Sequence, residues 1–249
     1  MQHRSRRGGD RRSDAEAVAR AIRDDAITAV VQPVVQLDDG VTIGYEALAR
    51  IGDRAEGPSR WLDRASDAGL RVELELACLR AAARLGPPPG DTLLFVNVSP
   101  MTLADDRVDE VCADLAGRLV VEITERDRVD DYGALRHWRD AWRGRGVSLA
   151  VDDTGAGHAT LRHVLELEPD YVKLDRELVA DLDQYRPRWA LIAALRVFAD
   201  EVGAVVVAEG VERPEEVRSL VNAGVHLAQG FVLGRPGRAW VSGQLPVPA

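Results

Sequence analysis

The sequence predicts an α/β fold: a closed (β/α) barrel entered through an antiparallel hairpin. Three observations predict it. From Trp61 onward, short apolar runs alternate with segments of helical period. The runs are apolar along their length, as strands are when crossover helices bury both of their faces. Finally, seven or eight such strands in roughly 230 residues fill one barrel better than two small open sheets, and no Gly/Ser linker divides the chain.

The elements follow in order. Met1 to Ser13, MQHRSRRGGDRRS, is rich in Arg and Gly without apolar period and is expected as a disordered basic tail, leaving 14–249 as one domain. Asp14 caps a short helix, Ala15 to Asp24. Ile27 to Leu37 reads as a strand interrupted at Gln32-Pro33, and a proline inside a strand marks an edge or a bulge. Asp38-Asp39-Gly40 is a hairpin-type turn, so the strand Val41 to Arg50 runs antiparallel to the first. Helices follow at Trp61 to Ala68 and Val72 to Leu85, the second stopped by Gly86-Pro87-Pro88-Pro89-Gly90. Strand and helix then alternate: Thr92 to Ser99, Val108 to Ala116, Arg118 to Thr124, Tyr132 to Arg143, Val147 to Asp152, Ala159 to Leu165 and Tyr171 to Leu174. Helices at Arg176 to Leu182 and Trp189 to Val202 precede the strand Ala204 to Ala208. Pro214 opens the last helix at a position where its missing N–H costs nothing. Val225 to Gln229 and Phe231 to Leu233 read as the last strand region.

The totals narrow the function. The net charge of −9 makes the chain a poor binder of DNA or RNA polymers, whose phosphates call for Lys and Arg; metal ions could still mediate a phosphate contact. Cys78 and Cys112 lie in apolar helical context and are expected as reduced thiols of a cytoplasmic protein. No window approaches a membrane span. Of the 32 basic residues only one is a lysine, Lys173. Lysine supplies a compact point charge of shiftable pKa, which arginine does not.

Polar residues recur where strands end. Glu46 lies in the second strand, Asn97 ends the third, Glu122 the fourth, and Asp152 with Asp153 the fifth. Lys173 and Asp175 end the sixth, Glu209 the seventh, and Gln229 comes with the last. Any one of these acids alone reads as a helix cap or a solvated charge. Together, at the carboxyl-terminal face where such barrels place their active sites, they converge on one mouth. The carboxylates of Glu46, Glu122, Asp152, Asp153 and Glu209, converging there with Asn97, repel one another unless cations neutralise them. An oxygen-only donor set suits Mg²⁺ or Mn²⁺ rather than zinc, and the adjacent aspartates suit two ions, the usual arrangement for cleaving a phosphodiester.

These residues stand in blocks that resemble the EAL domain family of cyclic di-GMP phosphodiesterases. In order they are Gln32-Pro33, EALAR at Glu46 to Arg50, NVS at Asn97 to Ser99, EITE at Glu122 to Glu125, DDTGAG at Asp152 to Gly157, VKLD at Val172 to Asp175, AEGVE at Ala208 to Glu212, and QGFVLGRP at Gln229 to Pro236. The resemblance implies a TIM-like (β/α)8 barrel with an antiparallel first strand and hydrolysis of cyclic di-GMP to the linear dinucleotide pGpG. It implies that Glu46, Asn97, Glu122 and Asp152 hold a first metal, that Asp152 bridges to a second near Asp153 and Glu209, and that Lys173 positions the attacking water. Glu209 is a candidate base. Asp175 supports Asp153 or the second metal, Glu125 anchors the loop after the aspartates, and Gln32, Arg50, Glu212 and Gln229 line the substrate or support the site. The resemblance also implies a homodimer through the region after Asp153. The alternative it leaves is a sensor or scaffold module that binds cyclic di-GMP with little turnover, a class that usually lacks some of the ligands. The chain departs from the family pattern at Thr154 and His158, where aromatics are common, and at Thr102, where Gln is common.

Overall fold

The computed structural model describes residues 3–52, 57–113, 115, 117–124, 129–154 and 159–246. Eight strands close into a barrel in sequence order: β1 (Ile27–Gln36), β2 (Thr42–Ile51), β3 (Leu93–Asn97), β4 (Leu119–Thr124), β5 (Ser148–Thr154), β6 (Tyr171–Leu174), β7 (Val205–Ala208) and β8 (Leu227–Ala228). β1 pairs antiparallel with both β2 and β8, and all other neighbours are parallel. The hairpin at Asp38-Asp39-Gly40 forms as expected, with Gly40 at φ 77°. The register of β1 on β2 shifts between Val34 and Val35, the irregularity that Pro33 announces.

Helices wrap the barrel. They are α1 (His3–Arg23), α2 (Pro58–Ala68), α3 (Arg71–Ala83), α4 (Pro100–Leu103), α5 (Arg107–Ala113), α6 (Tyr132–Arg143), α7 (Ala159–Leu167), α8 (Arg176–Val179), α9 (Arg186–Glu201) and α10 (Pro214–Asn222). Their starts follow local chemistry. Asp131 accepts a hydrogen bond from Ala134 N to cap α6, and α2, α9 and α10 each carry proline in the first turn. Cys78 and Cys112 are free and buried enough that both thiols are pushed up to about 12, which leaves them unreactive. Among the described residues no helix is long and apolar enough to cross a membrane.

Two differences from the sequence reading stand out. First, α1 begins at His3, inside the stretch read as a tail, and its Val18 and Ala21 are buried in a cluster with Trp61, Ala65 and Leu74. Second, β8 is only Leu227–Ala228, and Phe231 to Leu233 form a turn, not a strand. Leu233 N and Gly234 N both bond back to Gly230 O, at 3.1 and 3.0 Å. A Cβ on Gly230 would stand 2.1 Å from Val211 O, so the backbones touch there and the chain cannot run straight on.

The β1–β2 connection is a hairpin and supplies no covering helix. The segment after β8 takes that place. Gly237 pairs with Val31, Trp240 meets Tyr45 edge-on at 5.0 Å, and Gly243 N donates to Thr42 Oγ1. A Cβ on Gly243 would meet Val35 Cγ2 at 2.2 Å, so this strap lies directly on the hairpin.

Candidate metal and phosphodiester site

The barrel interior is built in two layers by the two-residue period of its strands. The lower layer is apolar: Val34, Phe95, Val120, Ala150, Val207 and Leu227 form one buried cluster, and Tyr171 packs on it with its ring 5.4 Å from that of Phe95. Gly44 makes room for Phe95, whose ring edge would lie 2.8 Å from a Cβ there. Two residues further toward the mouth, the same strands carry Gln32, Glu46, Asn97, Glu122, Asp152, Lys173, Glu209 and Gln229. The register holds them level: Gln32 is opposite Glu46, and Asn97 is opposite Glu122.

Lys173 is fully buried at the centre of this upper layer. Its Nζ lies 2.6 Å from Glu122, 2.5 Å from Glu209, 3.5 Å from Glu46 and 3.7 Å from Asp152. Four carboxylates thus share one ammonium. Around them, Asn97 Nδ2 donates to Glu46 Oε1 at 3.0 Å, and Gln229 Nε2 donates to Glu46 Oε2 at 2.7 Å and to Gln32 Oε1 at 3.1 Å. Gln32 Nε2 in turn donates to Gly234 O at 2.9 Å.

The electrostatics follow from this crowding. Burial, reinforced by Glu46, Asp152 and Glu209, holds Glu122 well above the usual carboxylate range despite Lys173. Burial likewise raises Asp152 and Glu209, with neighbouring carboxylates adding to both. Burial alone would depress Lys173, but Asp152, Glu122, Glu209 and Glu46 more than reverse it and hold its proton firmly.

The residues present fit divalent cations. Every donor is an oxygen, and the negative charge exceeds what Lys173 offsets. Glu122 Oε2 is buried without a hydrogen-bond partner, a costly state that a cation would relieve. Oxygens of Asp152, Asp153 and Glu209 lie within 4.8 Å of one another, a second place for charge to be neutralised.

Asp153 sits at φ 58°, in the left-handed region that a non-glycine residue enters at a cost, and its N–H donates to Asp152 Oδ1 at 2.8 Å. Strain held at the junction of two carboxylates turns the second one out of the strand direction. Replacing Asp153 with glycine is expected to raise the melting temperature of the metal-free protein by about 2–4 °C, equivalent to about 1 kcal/mol, while turnover drops. An unchanged or lower melting temperature would show that no strain is stored there.

The other residues singled out in the sequence stand at the rim. Asp175 caps α8, accepting from Glu177 N at 2.5 Å. Glu212 pairs with Arg176 at 2.9 Å, and Arg50 donates to the carbonyl of Ala49 on its own strand. Thr154 and Thr102 are buried. Glu125 and the loop with Gly155, Gly157 and His158 lie outside the described residues. Two supporting residues escaped the sequence reading. Phe231, 47% exposed and two residues after Gln229, has the Arg235 guanidinium 4.6 Å over its ring; reading it as a strand residue hid it. Glu216 accepts from the backbone N–H groups of Asp181, Glu212 and Arg213, and so fixes the turn after Glu209. Its place three residues after Arg213 is capping-box spacing, which could have revealed it.

Comparisons with known proteins agree with this geometry. The sequence pattern of the EAL domain matches residues 15–236. The chain is 26% identical over 238 residues to the cyclic di-GMP phosphodiesterase PdeL of Escherichia coli (strain K12), covering 89% of this chain and 65% of that protein. Among solved structures, Klebsiella pneumoniae BlrP1 in a calcium/cy-diGMP complex superposes with a TM-score of 0.77 at 28% identity, over 88% of this chain and 58% of that one. The PaMucR phosphodiesterase in its c-di-GMP complex gives 0.78 at 26% identity, over 90% and 97%. The chain spans between 26% and 65% of the length of three curated relatives that it matches. With an eight-stranded barrel, an antiparallel first strand and the domain pattern matched over residues 15–236, this chain belongs to the EAL domain family.

Proposed function

We propose that this domain hydrolyses cyclic di-GMP to linear pGpG, using two Mg²⁺ or Mn²⁺ ions. The observation that carries the reading is the upper layer of the barrel: Glu46, Glu122, Asp152 and Glu209 surround one buried ammonium with more negative charge than it offsets, and Asn97 bonds Glu46 beside them. Glu46, Asn97, Glu122 and Asp152 would hold the first ion, and Asp152 with Asp153 the second, close to Glu209. Bound there, the ions supply an activated water and offset the charge on the phosphoryl oxygens.

The chain's own residues do the rest. Lys173 keeps a fixed positive charge under the reacting phosphate and orients the attacking water. Glu209, whose carboxylate is partly open to the mouth, is the group placed to take a proton from that water. Gln229 and Gln32 lock Glu46 in one orientation, so the site is formed before substrate arrives. The apolar floor of Phe95 and Tyr171 closes the barrel from below and confines water to the mouth. One P–O bond of the cyclic diester breaks, leaving a 5′-phosphate and a 3′-hydroxyl.

The competing reading is a cyclic di-GMP-binding module without turnover. The intact ligand set disfavours it, since such modules usually have lost some of these residues. Leu161 and Leu165 on α7 are 46% and 60% exposed one helical turn apart, an apolar stripe that supports self-association through the region after Asp153. One experiment addresses both points: purified protein is incubated with cyclic di-GMP and Mn²⁺ or Mg²⁺ across a dilution series. Linear pGpG is the expected product, with specific activity falling on dilution. Binding of cyclic di-GMP with no pGpG at any concentration would establish the binding module instead.

A further inference from the structure

Glu75 on α3 is a carboxylate that no step above uses, and it is 4% exposed. Its Oε1 pairs with Arg71 Nε one turn earlier. Its Oε2 accepts two hydrogen bonds from a single residue, Ser99: from the backbone N–H at 3.0 Å and from Oγ at 2.6 Å. A buried carboxylate is tolerated only when its oxygens are satisfied, so these contacts fasten the start of α3 to the corner that follows β3.

The corner itself shows what has been traded. Ser99 is the N-cap of α4, at φ −72° and ψ 154°, where a serine hydroxyl ordinarily accepts from an amide of its own helix. No side-chain cap bond forms here. The hydroxyl is given to Glu75, with Thr102 Oγ1 at 3.3 Å. Ser99 is two residues beyond Asn97. In that run Val96 and Val98 are buried, Val98 N donates to Glu122 O at 3.0 Å, and Asn97 alone is exposed, reaching Glu46 from the rim.

We propose that Glu75 is a positioning residue for Asn97: by gripping Ser99 at both N–H and Oγ, it sets the direction in which Asn97 offers its amide to Glu46 and to a divalent cation. The proposal rests on Asn97 being one of the metal-holding residues. Loosening a group that orients a ligand typically costs about 10–100-fold in metal affinity.

The test uses Ser99→Ala, which removes one of the two bonds, and Glu75→Gln, which keeps the shape but not the charge. Mn²⁺ binding is read directly from the free-ion paramagnetic resonance signal without substrate, beside a melting curve in EDTA. Both variants are expected to bind Mn²⁺ about tenfold more weakly. The Mn²⁺ concentration for half-maximal turnover should rise by the same factor, while kcat at saturating metal stays within about twofold of wild type. A lower melting temperature with unchanged Mn²⁺ affinity means a merely structural role and overturns the proposal. Should Glu75→Gln fail to fold, Ser99→Ala decides alone. If the wild-type chain takes up no Mn²⁺, the metal-site reading itself falls and this inference with it. If wild type binds and the folded variants bind equally well, only this inference is lost.

Discussion

Lys173→Met is expected to abolish turnover, lowering it by at least about 1000-fold at saturating Mn²⁺, the scale of removing a preorganised charge from an active site. Met matches the length of the lysine chain, so the change isolates the ammonium. It also leaves Glu122, Glu209, Glu46 and Asp152 without their shared counter-charge. Breaking a buried charge set from one side costs about 3–5 kcal/mol. The cost should be smallest at low pH, where the carboxyls take up protons, and should shrink when divalent cation is added. Lys173→Arg is expected to fail as well: the guanidinium is larger and planar, and Nζ already sits within 2.6 Å of two carboxylates. Steady-state rates with melting curves in EDTA and in Mn²⁺ check this. Turnover within tenfold of wild type would remove Lys173 from the mechanism.

Glu122→Gln should separate stability from function. Glu122, Asp152 and Glu209 all hold their protons to higher pH in the fold than in the unfolded chain. A group raised in this way contributes stability that is fully present below its unfolded value and is lost as pH rises toward its folded value. The metal-free protein is therefore expected to lose stability from about pH 4 upward, the ordinary range of Asp and Glu. Lys173, raised above its ordinary value, contributes evenly across that window. Removing the Glu122 charge should make the pH slope shallower and leave the metal-free variant at pH 8 no less stable than wild type. Metal affinity should nevertheless fall about 100-fold. At a concentration well above both dissociation constants, that loss removes about 2.7 kcal/mol of metal-linked stabilisation, or about 5–10 °C of the shift in melting temperature, and most turnover with it. Melting curves across pH, with and without Mn²⁺, measure both halves. A variant with wild-type metal stabilisation would show that Glu122 serves the fold alone.

Much of this was legible because a barrel strand repeats every two residues. Asn97, Glu122, Asp152, Lys173 and Glu209 follow Phe95, Val120, Ala150, Tyr171 and Val207 by two positions each, so strand-end polarity projects directly onto one layer. The hairpin was equally plain, since Asp38-Asp39-Gly40 and Pro33 are local signals. What escaped depended on distant contacts. The end of the last strand was misplaced because Val232 and Leu233 have strand character, while the turn is imposed by the backbone of Val211 pressing on Gly230. Glu75 stayed hidden in the run RVELELACLR, where a glutamate every second residue reads as ordinary helix surface. Burial against the distant Ser99 sets Glu75 apart from the more exposed Glu73.

The strap that lies over β1 and β2 also bears on how the molecule is made. Gln32 reaches its partner Gly234 across 202 positions of chain, and β1 finds its second neighbour only in β8. The first strands to leave the ribosome must wait for nearly all of the remaining residues before their ladder and outer cover are complete. Such long-range closure is slow and leaves strand edges open to wrong partners in the interval. Nascent chains arrested before Leu227 should therefore be the forms of this domain that chaperones hold.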